Sequence, residues 1–282
     1  MVHGVTEPTT LAVAAPAALL AGRRVVVTGV LTPRSIAFAI AQAAQRAGAE
    51  VVLTSFGRAM SITEKSARRL DPVPDVMEMD VTAADQVRDV AAAVQRRWGG
   101  VDGVVHAVGF APEDALGGAF MTAPWESVAT AMQVSAFSMK TLAAEFVPLM
   151  PQTGGSLVTL TFDGGVAWPL YDWMGPTKAA LEAIVRYLSR DLGPRRVRVN
   201  AVSAGPLETM AAKSIPGFDG LKNYWSRQAP LGWDPSDAGP VADAVVFLLS
   251  DMARAVSGEV LHVDGGYHAQ GAPPGAAEET EA

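Results

Sequence analysis

No cysteine occurs anywhere in the 282 residues. Its absence excludes disulfides, thiolate metal sites and a cysteine nucleophile, and it suits a reducing compartment, so a cytoplasmic location is expected. Histidine is scarce: His3, His106, His262 and His268 form no metal-ligand spacing, and no metal site is expected. Charged residues make up 18% of the chain and the net charge is −7, which argues against a nucleic-acid partner. Long hydrophobic runs are missing too. Leu11 to Leu20 is apolar but short, is broken by Pro16 and follows no Lys or Arg, so neither a signal peptide nor a membrane span is expected. There is no Walker P-loop, no HExxH, no G-x-S-x-G and no internal repeat. Residues 1–20 read as a flexible extension, and 271–282, rich in Gly, Pro, Ala and Glu, as a disordered tail.

What is present is a large stock of core residues, 49% of the chain. Short valine-rich runs alternate with longer helical patterns. Strands are expected at Arg24–Thr28, Glu50–Thr54, Val76–Met79, Gly103–His106, Ser156–Thr161, Val197–Val202 and Glu259–Val263. These runs lack polar alternation, as strands buried on both faces of a parallel sheet do. Helices are expected at Ser35–Ala47, Ala83–Arg97, Ser135–Leu149, Trp173–Leu192 and Asp237–Leu249. The alternation predicts an α/β protein: a single-domain Rossmann fold over residues 21–270, with a doubly wound, seven-stranded parallel sheet flanked by helices.

Such sheets bind ligands beyond the carboxyl ends of their strands. Thr28-Gly29, Ser55-Phe56, Asp80-Val81, Ala107-Val108-Gly109, Phe162-Asp163 and Ala204-Gly205-Pro206 follow the strands here. Any one glycine could simply make a turn; small residues at successive strand ends favour a groove for a flat cofactor. Gly29 can supply the tight first turn. Ser35 can cap the next helix or donate to a phosphate, and Ile36 and Ala37 open that helix near its positive end. Farther along, Tyr171 and Lys178 stand seven residues apart. At roughly 100° per residue, seven steps nearly close two helical turns, which puts both side chains on one expected helical face. That face would offer a phenol able to hydrogen-bond a carbonyl oxygen, with a cation beside it.

Gly29-x5-Ser35-Ile36-Ala37, Asp80-Val81, His106-Ala107-Val108-Gly109-Phe110, Tyr171-x6-Lys178, Ala204-Gly205-Pro206-Leu207 and Val263-Asp264-Gly265-Gly266-Tyr267-His268 together resemble the enoyl-acyl-carrier-protein reductases of the short-chain dehydrogenase/reductase superfamily. Ordinary members of that superfamily use Tyr-x3-Lys; Met174 stands at that tyrosine's position here. Phe162-Asp163 and Tyr171-Asp172-Trp173-Met174 look closest to the branch used in mycolic-acid synthesis, whereas that branch's longer segment after Thr209 is lacking.

The resemblance implies NADH-dependent hydride transfer to C3 of a trans-2-enoyl thioester in fatty-acid elongation. It implies a catalytic group of Tyr171, Lys178 and Phe162, in which Tyr171 meets the enolate oxygen, Lys178 holds the nicotinamide ribose and Phe162 shapes the pocket. Cofactor contacts are implied for Gly29, Ser35, Ile36, Asp80, Val81, Ala107, Val108, Gly109, Val134, Ala204, Gly205, Pro206, Leu207 and Thr209. Phe56 can stack on adenine, and the absence of a basic pair behind the second strand favours NADH over NADPH, with Arg58 the one nearby cation. Met174 lines the substrate side. Ile215, Phe218, Leu221 and Trp225 recur at helical spacing, so residues 209–229 are expected to form a lid with an apolar face over an acyl chain. His106 is expected to be a hydrogen-bonded structural histidine. The implied partners are an enoyl-loaded acyl-carrier protein or enoyl-CoA, within a homotetramer, and Lys213, Lys222 and Arg227 are candidate contacts for an acidic carrier. Two other readings stay open: another short-chain reductase acting on a carbonyl or enoyl-CoA, and a non-catalytic NAD-binding protein.

Overall fold

The structure is a computed structural model that describes residues 18–213 and 215–271. Seven strands are formed by Arg24–Val27 (β1), Glu50–Ser55 (β2), Asp75–Glu78 (β3), Gly103–His106 (β4), Gly155–Thr161 (β5), Val197–Ala204 (β6) and Val260–Val263 (β7). All seven pair in parallel in one sheet of order β3-β2-β1-β4-β5-β6-β7. The expected Rossmann architecture is present. The chain leaves β1 for β2 and β3 on one side and returns to β4 on the other, so the winding reverses between β1 and β4. That reversal is where doubly wound sheets open their ligand crevice.

Alternation along the strands builds two cores. Val25 and Val27 point to one face, with the helices Ile36–Arg46 (α1) and Gly239–Leu249 (α9) over them. Val26 points to the other, where Ala84–Trp98 (α3), Ser138–Phe146 (α5) and Met174–Leu192 (α6) pack. Leu20 is wholly buried in the first core, and its amide donates to Ala47 O at 2.8 Å. The packed domain therefore takes in residues 18–20 of the stretch expected as an extension; 1–17 and 272–282 lie outside the described residues.

Three helices depart from expectation. Met60–Ala67 (α2) and Trp125–Met132 (α4) are not among the expected helices, because each is a short eight-residue helix with few buried side chains to impose a period. The helix expected at Ser135–Leu149 is broken up: a π-helical turn, Gln133–Phe137, joins α4 to α5. The remaining helices are Met210–Lys213 (α7) and Phe218–Gln228 (α8).

The crevice depends on Gly29. It has φ +80°, and a Cβ there would lie 2.0 Å from Ala107 O, a backbone atom that cannot swing aside. Beside it, Thr28 Oγ1 donates to Val105 O and accepts from Ala107 N, both at 3.0 Å, so the ends of β1 and β4 are clamped together. Gly29→Ala should destabilise the apoprotein by at least about 2 kcal/mol in urea unfolding, since it adds left-handed strain to a backbone clash. A variant as stable as the parent would show that this turn can relax.

Candidate active site

A cavity of about 810 Å³ opens beyond the carboxyl ends of β1 to β6. Its wall is built in chain order. Gly29, Ser35 and Ile36 come from the turn into α1, Phe56 follows β2, and Asp80 and Val81 follow β3. Ala107, Val108 and Gly109 follow β4, Val134 comes from the π turn, and Ala204, Gly205, Pro206, Leu207 and Thr209 follow β6. Phe162, Tyr171, Met174 and Lys178 meet the cavity from the β5–α6 side, and Ile215, Phe218 and Leu221 from the α7–α8 segment. Every residue singled out from the sequence for catalysis or cofactor thus faces one space, and so do the substrate candidates except Trp225 of the expected lid face.

Several do so differently from the sequence expectation. Ser35 stands at the start of α1, but its Oγ donates to Thr32 O at 2.6 Å and accepts weakly from Leu31 N at 3.4 Å. It caps no helix amide, which leaves the first turn of α1 without a side-chain cap at the cavity wall. Tyr171 is not on a helix, since α6 begins at Met174. It sits in a turn between Leu170 (φ +60°) and Asp172 (φ +40°), two non-glycine residues in the left-handed region. The single-face geometry inferred from the seven-residue spacing does not hold, yet the turn still delivers the ring to the same cavity as Lys178.

Both side chains are deeply buried, at 8% exposure for Tyr171 and 7% for Lys178. Tyr171 packs with Leu116 and Met174, and Phe162 meets it edge to face at 5.3 Å between ring centroids. Burial pushes the phenol pKa well above its ordinary value, with the negative charge of Glu182 adding to the effect, so Tyr171 remains a proton-bearing donor at neutral pH. Lys178 Nζ donates to Leu160 O at 3.0 Å. Burial pulls its pKa down to about 8, against the upward pull of Glu182. Gly109 faces this ammonium: a Cβ there would stand 3.9 Å from both Lys178 Nζ and Ser135 Oγ. Ser135 in turn holds the loop after β4, accepting from Phe110 N at 2.8 Å and donating to Phe110 O at 2.9 Å.

His106 is fully buried, with Nδ1 2.7 Å from Thr159 Oγ1 and Nε2 2.7 Å from Ser138 Oγ. Desolvation, helped by the charge on Lys178, drops its pKa to about 3, so it is neutral and knits β4 to β5 and α5. Asp80 Oδ1 accepts from Thr82 N and Oγ1, which fixes its carboxylate at the end of β3. Thr209 Oγ1 accepts from Ala212 N at 3.0 Å and so starts α7.

Glu182 escaped the sequence reading. It is 8% exposed and accepts from Thr161 Oγ1 at 2.8 Å and Gly164 N at 2.9 Å, tying down the backbone on both sides of Phe162. The available signal was an acid one turn after Lys178, among Leu181 and Val185 on the buried face of α6. Beyond Phe162, Trp168 and Trp225 continue an aromatic cluster, at 4.7 and 5.7 Å from its ring. Trp225 is 2% exposed, stacks on Tyr267 at 3.8 Å and donates to Asp264 O, so it anchors α8 rather than lining the cavity.

A family model described as Enoyl-(Acyl carrier protein) reductase matches residues 29–268, from the crevice glycine to the segment after β7. The chain belongs to this family. Within it, the chain is 40% identical to the enoyl-(acyl-carrier-protein) reductase (NADH) of Mycolicibacterium smegmatis over 266 residues, covering 89% of this chain and 98% of that one. It is 38% identical over 260 residues to the Aquifex aeolicus enzyme of the same name, covering 90% and 94%. Against the Bacillus subtilis enzyme it is 37% identical over 257 residues, covering 88% and 97%. The family match takes in every one of the strand-end turns that line the cavity.

Proposed function

We propose that this member of the enoyl-(acyl carrier protein) reductase family is an NADH-dependent enzyme that reduces the C2–C3 double bond of a trans-2-enoyl thioester. The observation that carries the reading is a buried phenol and a buried ammonium converging on one cavity at the carboxyl edge of a Rossmann sheet. The residues fit a dinucleotide. Gly29 leaves room for close backbone approach, and Lys178 uses one acceptor, Leu160 O, while an ammonium carries three donors. Gly29, Ser35 and Ile36 would receive the pyrophosphate at the start of α1, Phe56, Asp80 and Val81 the adenosine, and Lys178 the ribose hydroxyls near Gly109. The wall from Ala204 to Thr209, with Val134 and Val108, would bound the nicotinamide end. Bound NADH supplies the hydride.

The chain's own part is electrostatic. Negative charge grows on the thioester oxygen as C3 is reduced, and a donor aimed at that oxygen lowers the barrier in proportion. Tyr171, held protonated by burial, is that donor. Phe162 sets its ring edge on, and the Lys178 charge favours the enolate. Met174, Ile215, Phe218 and Leu221 give the acyl chain an apolar wall, and residues 209–229 serve as its lid. Arg58 is exposed and lies outside the cavity wall, whereas Glu78 accepts from Gly57 N at 3.1 Å and puts negative charge at the end of β2. That arrangement disfavours the additional phosphate of NADPH.

The physiological substrate is a carrier-bound chain of short or medium length in ordinary fatty-acid elongation, handled by a cytoplasmic homotetramer. Among the described residues, no helix is long and apolar enough to cross a membrane. Lys222 is engaged by Glu208 at 2.5 Å and Asp219 at 3.2 Å, so exposed Arg227 is a better contact for an acidic carrier than Lys222; the side chain of Lys213, the third candidate, lies outside the described residues. The test is loss of NADH absorbance with crotonyl and longer enoyl thioesters, on both carriers, repeated with NADPH. Turnover should favour NADH in kcat/KM. Clear preference for NADPH, or no turnover of any enoyl thioester beside turnover of a ketone, would replace this reading.

A further inference from the structure

The turn that presents Tyr171 is held in an unfavourable shape. The left-handed conformation costs L-residues other than glycine about 1–2 kcal/mol each, less for Asp than for Leu, and Leu170 and Asp172 both adopt it. Such geometry persists where the surroundings over-determine it. Here the restraint is the loop after β4. Asp172 Oδ2 accepts from two successive amides, Gly118 N at 2.6 Å and Ala119 N at 2.9 Å. Gly117 N donates to Leu170 O at 3.0 Å, and Trp173 Nε1 donates to Phe120 O at 2.9 Å while its ring stacks on Phe120 at 4.9 Å. The clamped loop carries Leu116, which packs on Tyr171 and lines the cavity.

We infer that Asp172 is a positioning residue: its carboxylate, by gripping Gly118 N and Ala119 N, fixes the strained turn and thereby the direction in which Tyr171 presents its hydroxyl. The carboxylate itself is not on the cavity wall and touches no reacting atom. A charged acceptor on two amides is stronger than a neutral one, and it is the side-chain link between the two segments that comes from a residue adjoining Tyr171 on its helical side. The inference rests on the reading of Tyr171 as the hydrogen-bond donor, so its test must separate the two.

Asp172→Gly removes the carboxylate while relieving the φ strain, and Asp172→Asn keeps a carbonyl oxygen for both amides. Each is made in the parent and in a Tyr171→Phe background, with kcat and the NADH dissociation constant measured for all. A misplacement near 1 Å can cost on the order of 100-fold, so D172G in the parent should lower kcat roughly 10- to 100-fold with NADH affinity little changed. D172N should stay within about threefold, the neutral acceptor being weaker but sufficient. In the Y171F background D172G should cost almost nothing further, because the hydroxyl it positions is gone. An equal loss in both backgrounds, a fully active D172G, or a D172N as damaged as D172G overturns the inference and leaves the role of Tyr171 standing. A Y171F enzyme as active as the parent overturns the role of Tyr171 itself and the inference with it.

Discussion

Tyr171→Phe should lower kcat by roughly 100- to 1,000-fold, the usual cost of deleting one oxyanion donor, while leaving NADH affinity nearly intact. The phenol is buried against Phe162, Leu116 and Met174, so phenylalanine fills the same space and deletes a single O–H. What disappears is an interaction made with charge that develops during the reaction, and such a loss falls on kcat rather than on ground-state binding. Single-turnover rates with crotonyl thioester, set beside fluorescence titration with NADH, measure the two quantities separately. Equal loss in both would mean that Tyr171 holds the cofactor.

Lys178→Ala should behave in the opposite sense and abolish measurable NADH binding, because it removes a buried cation and its donors from the centre of the cavity. The wild-type ammonium also imposes a pH dependence. Its pKa in the folded chain is about 8, so NADH affinity should weaken as pH rises through and above that value. Stability of the apoprotein should move the other way. The folded pKa lies below the ordinary 10.5, so between the two values the unfolded chain binds more protons. The Lys178 contribution is therefore full above 10.5 and is lost as pH falls through about 8. Lys178→Met should flatten that part of the stability profile, which urea titrations across the window would detect; an unchanged slope would place the titration elsewhere.

The parts of this molecule legible in its sequence are those governed by burial. Short valine-containing runs, buried on both faces in the five inner strands, match all seven strands to within two residues at each end, and the small residues after them mark the crevice, where at Gly29 the backbone of Ala107 leaves no room for a side chain. The cavity-lining set followed from the same topology joined to a family likeness. What stayed hidden is governed by local backbone detail. Nothing in Leu170-Tyr171-Asp172 announces two positive φ angles; the asparagine-like tolerance of Asp172 is the sole hint, and it becomes meaningful once Gly118 and Ala119 are seen to grip the carboxylate. Glu182 was similarly concealed, since an acid one turn beyond a lysine reads first as an ordinary surface pair, whereas here its Oε1 accepts from both Thr161 and Gly164.

The π turn between α4 and α5 gives one nearly continuous helix two separate allegiances. A single additional residue in a helical stretch rotates everything after it by about 100° relative to what came before. Ala131, ahead of the turn, joins Tyr171, Met174 and Leu116 in the small cluster beside the cavity, whereas Ala136, within the turn, and Met139, Leu142 and Phe146, beyond it, insert into the core under the sheet. A regular helix would carry one stripe along its length and would have to abandon one of these neighbourhoods. The inserted residue works as a phase shifter, setting the wall around the reacting end of the cavity in fixed angular relation to the sheet that carries the nucleotide crevice.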